Sequence, residues 1–152
     1  MSKEERTFMM IKPDAVQRGL MGEIIGRIEK SGLKFVAIKF LQVTKELAEK
    51  HYEVHKERPF YNSLVGFITS SPTLAMVVEG SNAVTIGRKL VGATNPADAA
   101  PGTIRGDFGL DIGRNLVHAS DSVENGKIEA AVYFSDDEIA SWTPINYQWL
   151  YE

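Results

Sequence analysis

Residues 33–43 read LKFVAIKFLQV, and their interpretation decides the fold. Val36, Ile38 and Phe40 alternate with Ala37, Lys39 and Leu41. A two-residue period of this kind predicts a long β-strand with those two sets on opposite faces. Before it, Leu20, Ile24 and Ile28, joined by Met21 and Ile25, recur at helical spacing, and Gly32 stands where that helix would stop. Further back, RTFMMIKPD (6–14) reads as a buried strand. It closes at Pro13, which cannot donate a ladder hydrogen bond and biases Lys12 towards extended geometry.

C-terminal to the central strand, Thr44 is an N-cap for the polar helix TKELAEKHYEVHKE (44–57). Pro59 separates it from FYNSLVGFITS (60–70), where Phe60, Leu64, Phe67 and Ile68 fit a second helix. PTLAMVVEG (72–80) is a third strand, and SNAVTIGRKLVG (81–92) a third major helix capped near Asn82. Residues 92–114 are rich in Gly, Pro and Asp and form a long loop, a length that in compact domains goes with function or disorder. LVH (116–118) is a short fourth strand. Asp121 with Glu124 resembles a capping box for SVENGKIEAAVYF (122–134), and Ser135 with Glu138 repeats the pattern for a short helix. The aromatic tail WTPINYQWLYE (142–152) reads as extended.

The order is strand, helix, strand, helical pair, strand, helix, loop, strand. It resembles the split β-α-β-β-α-β arrangement, a sheet with helices on one face. A doubly wound parallel sheet would need more regular helix–strand alternation. The expected class is therefore α+β: a ferredoxin-like β-α-β-β-α-β sandwich, a four-stranded antiparallel sheet with helices packed around it. No repeat or linker divides the 152 residues, so one domain, 1–152, is expected, with 136–152 as a C-terminal tail.

Composition narrows the function. With 43% hydrophobic and 24% charged residues the chain is a globular one. The absence of cysteine excludes disulfides and thiolate zinc sites. A formal charge of −3 argues against a nucleic-acid partner. No apolar run approaches the ~20 residues that span a membrane, and the N-terminus lacks the apolar core of a secretory signal. A cytoplasmic protein is the plain reading.

Two motifs mislead. VAIK (36–39) and DFG (107–109) are protein-kinase signatures. No Gly-rich strand precedes the first and no H-R-D loop lies between them, so Lys39 is a polar residue of an alternating strand and Asp107-Phe108-Gly109 ends a loop helix. No P-loop is present either. His51 and His55 lie four apart on one helix, but HYEVH lacks the glutamate of the H-E-x-x-H zinc motif, and they read as exposed helix histidines. No metal-site spacing appears elsewhere.

His118, in NLVHASDS (115–122), is the sharper case. It is either a histidine satisfied in the core at a strand end or a nucleophile. Asn115, Ser120 and Asp121 surround it with hydrogen-bonding groups, and small Ala119 leaves room beside the ring. Glu129, about two turns into the next helix, is placed to reach back. A carboxylate accepting from one ring nitrogen fixes the tautomer and frees the other for attack.

NLVHASDS matches the active-site pattern N-x-x-H-[GA]-S-D-[GSA] of the nucleoside diphosphate kinases, and residues 5–25, 51–72, 92–109 and 149–152 resemble that family at corresponding places. The resemblance implies transfer of the γ-phosphoryl group of a nucleoside triphosphate, mainly ATP, to a nucleoside diphosphate. The transfer is ping-pong, through a phosphohistidine, and maintains triphosphate pools. It makes His118 the nucleophile through Nδ1, with Glu129 accepting from Nε2 and Ser120 beside the nucleophile. Lys12, Tyr52, Arg88, Thr94 and Arg105 match positions that hold phosphates and assist the transferring group. Asn115 matches the contact to the ribose 3′-hydroxyl, with Lys12 beside it. Phe60 would stack on the base against Leu64 and Ile112. Mg²⁺ would come bound with the nucleotide, since no carboxylate cage is evident and Asp121 is at most an indirect helper.

Two positions depart from the family's commoner residues: Ala119 stands where Gly is usual and Tyr61 where Phe is usual. The long tail, with Pro96 and Pro101 as trimer contacts, implies a homo-hexamer rather than a tetramer. Two other functions remain open on the residues alone: a binding module that kept the pocket, and a phosphohistidine relay between proteins. The complete set from Lys12 to Glu129 speaks against the first, and the nucleotide-holding residues would be superfluous in the second.

Overall fold

The structure is a computed structural model and describes residues 3–152. Four strands, β1 (Arg6–Ile11), β2 (Lys34–Leu41), β3 (Thr73–Glu79) and β4 (Val117–Ala119), form one sheet in the order β2-β3-β1-β4. Every neighbouring pair is antiparallel. β3 lies between β1 and β2, which makes the β1–helix–β2 unit a split one, as expected from the element order. The fold class is α+β.

Both faces of the sheet are covered, so helices pack around it as expected, and not on one face alone as in the split arrangement it resembles. Alternation along β1 and β3 sends Met9, Ile11, Leu74, Met76 and Val78 to one side, with Ile24 and Ile28 of α2 (Met21–Lys30) and Ala83 and Val91 of α5 (Ala83–Val91). Phe8, Met10, Ala75 and Val77 point to the other, against Ala48 of α3 (Lys45–His51), Val65 and Ile68 of α4 (Tyr61–Ile68) and Tyr133 of α7 (Val123–Tyr133). Every residue of β3 is buried, which is why 73–79 reads as a continuous apolar run rather than a clean alternation.

β2 corrects a finer expectation. A bulge between Phe35 and Ala37 inserts Val36 as an unpaired residue. The bulge shifts the side-chain phase, so Val36 and Ala37 are both buried while Ile38 and Phe40 stand 51% and 55% exposed. Val36 therefore does not share a face with Ile38 and Phe40. The exposed pair sits on an edge strand.

Local signals are met in part. The helix expected over 44–57 ends at His51, and His55 lies in a separate 3₁₀ turn, Glu53–His55, so the two histidines do not share a helix. Thr44 accepts from the Leu47 amide as N-cap of α3, and Ser135 with Glu138 forms the capping box of a short 3₁₀ turn. Gly32 ends α2 at φ +94°, a left-handed conformation that favours glycine. Asn82 does precede α5, but its side chain makes no capping hydrogen bond. The cap of α7 is Ser122, which accepts from the Asn125 amide, and not Asp121, which accepts from the Asn125 side chain instead. The tail contains a short helix, α8 (Tyr147–Leu150), rather than being wholly extended.

The long loop is ordered. It holds a 3₁₀ turn at Pro96–Asp98 and α6 (Ile104–Phe108), capped by Thr103 and closing before Gly109 as the DFG reading required. A Cβ on Gly106 would meet the Ala100 carbonyl oxygen at 2.0 Å, so this close approach needs glycine. Pro96 is buried within the chain, and only Pro101 of the two prolines is exposed. Among the described residues, no helix is long and apolar enough to cross a membrane.

Candidate active site

His118 sits in β4, at the sheet edge, paired with Met10 of β1. Its Nε2 faces both carboxylate oxygens of Glu129, at 2.7 and 2.9 Å. Glu129 reaches back from α7, as its position two turns into the helix suggested. Ser120, 1% exposed, donates to Glu129 Oε1 at 2.7 Å and also contacts the Phe8 carbonyl. Burial raises the Glu129 carboxyl, but the hydrogen bond and charge of His118 and the Ser120 hydroxyl outweigh it and hold the group below its ordinary value. The histidine is partly exposed rather than sealed in the core.

The approach to β4 is strained. Leu116, fully buried, has φ +75°, a left-handed conformation unusual for a branched side chain. Its amide donates to Asp14 Oδ2 at 3.0 Å, and its carbonyl accepts from the Lys12 amide at 2.8 Å. Arg105 of α6 locks the same segment. Its three guanidinium nitrogens donate to the carbonyls of Asn115, Gly92 and Val117, and it is 4% exposed. Arg105 thus holds the backbone around β4, at the position for which the resemblance implies a phosphate contact. Burial, then the charge of Arg88, lowers its pKa to about 10, so it stays cationic at neutral pH.

Lys12, at the end of β1 and just before α1 (Pro13–Gln17), donates from Nζ to Asn115 Oδ1 at 2.9 Å. Asn115 in turn donates to the Thr94 carbonyl at 3.0 Å. This chain ties the start of the long loop to the strand ends. Burial first, then the charge of Arg105, pulls the Lys12 ammonium down to about 8. Arg88 of α5 donates to the Ala119 carbonyl, next to His118.

Tyr52 caps the C-terminal end of α3 and stacks on His51, ring centroids 4.6 Å apart. His51 is not an exposed helix histidine. It packs edge-on to His118 at 5.5 Å, and its Nδ1 lies 2.7 Å from the Tyr133 hydroxyl. Burial, then the nearby His118, pushes its pKa down to about 4, leaving it neutral at pH 7. Burial also raises the Tyr52 phenol to about 12. Sequence reasoning missed His51, Tyr133 and Asp14, whose partners lie 82 and 102 residues away.

Phe60 precedes α4 and is half exposed, with the His55 ring 5.5 Å from it. Leu64 is one turn on. Ile112, also half exposed, belongs to the small loop bridged by Asp111 and Arg114. The Arg114 guanidinium lies 4.3 Å over the Phe67 ring and so docks that loop on α4. The kinase-like pair is not assembled: Lys39 pairs with Glu138 and Asp107 with Arg27. A separate cavity of about 850 Å³ lies at the far end of β1. There Arg6 and Lys34 share Glu79, and no histidine is among the lining residues.

The family model for nucleoside diphosphate kinase matches residues 5–139. A nucleoside diphosphate kinase of Archaeoglobus fulgidus is 62% identical over 148 residues, covering 97% of this chain and 98% of that protein. One from Staphylococcus epidermidis is 61% identical, covering 97% and 99%. Among solved structures, a halophilic nucleoside diphosphate kinase from Halobacterium salinarum in complex with CDP superposes with a TM-score of 0.95 at 51% identity, over 98% of this chain and 99% of that one.

Fold and kinship together define an α+β phosphotransferase that acts on nucleotides. The chain belongs to the nucleoside diphosphate kinase family and is an enzyme of that kind.

Proposed function

We propose that the enzyme transfers the γ-phosphoryl group of a nucleoside triphosphate, mainly ATP, to a nucleoside diphosphate in two half-reactions through phospho-His118. One observation carries this reading: both oxygens of Glu129 are turned on His118 Nε2. Nε2 then keeps the proton and Nδ1 keeps a lone pair. In the first half-reaction Nδ1 bonds to the γ-phosphorus as the bond to the bridging oxygen breaks, and the diphosphate leaves with that electron pair. The imidazole gains positive charge, which Glu129 offsets. The second half-reaction is the reverse, with the acceptor diphosphate's terminal oxygen displacing Nδ1.

Such a transfer state spreads negative charge over three equatorial oxygens and asks chiefly for positioned donors. Lys12 and Arg88 supply charge near the strand end, and Thr94 and Tyr52 add hydroxyls. Arg105 acts first by holding the backbone around Asn115 and Val117. In this reading Asn115 and Lys12 meet the ribose 3′-hydroxyl. Phe60 stacks on the base between Leu64 and Ile112, a grip that tolerates every base because each has a π-face.

Mg²⁺ enters as part of the nucleotide substrate. The donor chemistry fits this: the groups that converge at His118 are imidazoles and the single carboxylate of Glu129, not the oxygen set that Mg²⁺ prefers, and Asp121 is exposed and paired with Asn125. We read the whole chain as one nucleoside diphosphate kinase domain, cytoplasmic, assembled as a homo-hexamer and maintaining triphosphate pools. The exposed Ile38 and Phe40 on the β2 edge, and Ile145 and Trp149 in the tail, 99% and 82% exposed, support self-association.

Incubation with γ-labelled ATP and Mg²⁺, followed by a diphosphate chase, tests the mechanism. Acid-labile, alkali-stable label on His118 that moves to the diphosphate is expected. Label on Ser120, or label that never moves to nucleotide, would overturn it.

A further inference from the structure

Three side chains from three different elements meet beside the sheet edge: His51 of α3, His118 of β4 and Glu129 of α7. One ligand-capable atom from each lies within 4.8 Å of the other two, and among the described residues no other group of histidines and carboxylates does this. We propose that His51, His118 and Glu129 form a binding site for a borderline-soft divalent cation such as Zn²⁺, and that its occupancy holds the enzyme in an inactive state. The inactivation rests on the phosphohistidine reading above; the binding does not.

Two imidazoles and one carboxylate are a donor set suited to zinc, with a fourth position left for water. A tetrahedral ion with bonds of ~2.0–2.1 Å needs ligand atoms about 3.4 Å apart. The His118–Glu129 pair, at 2.7 Å, has to open slightly, and His51 has to approach. Both outer ligands already have orienting partners. Tyr133 Oη holds His51 Nδ1 at 2.7 Å, leaving Nε2 as the nitrogen for the metal, and Ser120 Oγ donates to Glu129 Oε1 at 2.7 Å. Such partners fix ring orientation and raise ligand basicity in metal sites. His118 is 30% exposed at its side chain, which provides a way in.

Binding takes the Nε2 lone pair, so the single proton of the neutral ring passes from Nε2 to Nδ1. Glu129 then neutralises the metal rather than an imidazolium. Nδ1 then has no lone pair with which to attack phosphorus, and the dication further opposes positive charge on the ring. Mg²⁺ does not compete, because it prefers six oxygens and sheds water reluctantly.

The test uses the full chain, stripped with a chelator. Calorimetric titration with ZnCl₂ should show one ion per chain, and Co²⁺ should give the visible absorption of a four-coordinate site that excess Mg²⁺ leaves unchanged. His51→Gln, which keeps an N–H donor for the Tyr133 hydroxyl, should weaken Zn²⁺ binding by about tenfold or more, as should Glu129→Gln, while Tyr133→Phe should weaken it by about tenfold. Zn²⁺ should suppress histidine labelling by γ-labelled ATP, and a chelator should restore it. Zn²⁺ affinity unchanged in both His51→Gln and Glu129→Gln, or no stoichiometric binding in the wild type, overturns the site. Failure of the metal-free enzyme to label at all would instead strike the phosphohistidine reading and leave calorimetry to decide the metal site.

Discussion

Both carboxylate oxygens of Glu129 lie within 2.9 Å of a single nitrogen of His118, and the Ser120 hydroxyl holds one of those oxygens from behind at 2.7 Å. The carboxylate thus fixes the ring's tautomer and its rotation together. Glu129→Gln removes the charge that offsets the developing imidazolium. We predict a fall in kcat on the order of 10²-fold with a smaller change in KM, the pattern for an interaction made in the transition state. Rapid-quench measurement of the first half-reaction checks it. A variant with wild-type labelling rate contradicts the role given to Glu129.

Lys12 predicts a pH dependence. Its pKa is lowered to about 8, chiefly by burial and then by Arg105, so the ammonium is charged below that value and neutral above it in the free enzyme. The value of kcat/KM should therefore fall as pH rises through about 8. Lys12→Arg, whatever its amplitude, should lose that limb, because an arginine keeps its charge. For stability the sign is opposite. The unfolded chain binds the extra proton between about 8 and the ordinary 10.5, so the cost of burying this lysine is full below about 8 and is relieved as pH rises across that window.

Asp14 holds the left-handed Leu116 by accepting from its amide. Asp14→Ala leaves that buried N–H without its partner and should cost about 1–3 kcal/mol of stability. It should also slow phosphorylation of His118, two residues on, without touching the nucleotide. Thermal unfolding and single-turnover labelling read the two effects separately. A variant as stable as the wild type would show that Leu116 holds its conformation without Asp14.

Phe60 faces solvent on one side and His55 on the other. Phe60→Ala should weaken nucleotide binding by about 1–3 kcal/mol for purine and pyrimidine substrates alike, since stacking is tolerant of base identity. Equilibrium binding of several diphosphates measures this. A loss confined to one base would replace stacking with specific recognition.

Ile38 and Phe40 leave an apolar strip on an edge strand. Phe40→Lys should shift the protein to smaller species by sedimentation analysis, because a charge on such an edge opposes pairing with a second copy. An unchanged sedimentation profile would place the assembly contacts elsewhere, with the exposed tail as the next surface to probe.

Much of the molecule was legible from residues 1–152 alone. Local signals specified the strands, the stop of α2 at Gly32 and the capping of α3, since each depends on neighbours within a few positions: Thr44 needs only the Leu47 amide. The pattern around His118, with Lys12, Arg88, Arg105 and Glu129 at matching places, pointed to the family, and Glu129 is on the same short segment as the histidine it holds. What the tertiary structure decided were matters of long-range geometry. The bulge at Val36 exposes Ile38 and Phe40, and no local period announces an inserted residue. Helices occupy both faces of the sheet because the segments after β2 and β4 fold back over a face that element order alone left uncovered. Arg105 is turned onto the backbone, His51 is brought beside His118 by Phe8 and Tyr133, and Asp14 clamps Leu116 across 102 residues of chain. Sequence period and spacing report contacts within a helix turn or a strand. Which distant side chains share a space is settled only when the sheet has formed and its two faces have been packed.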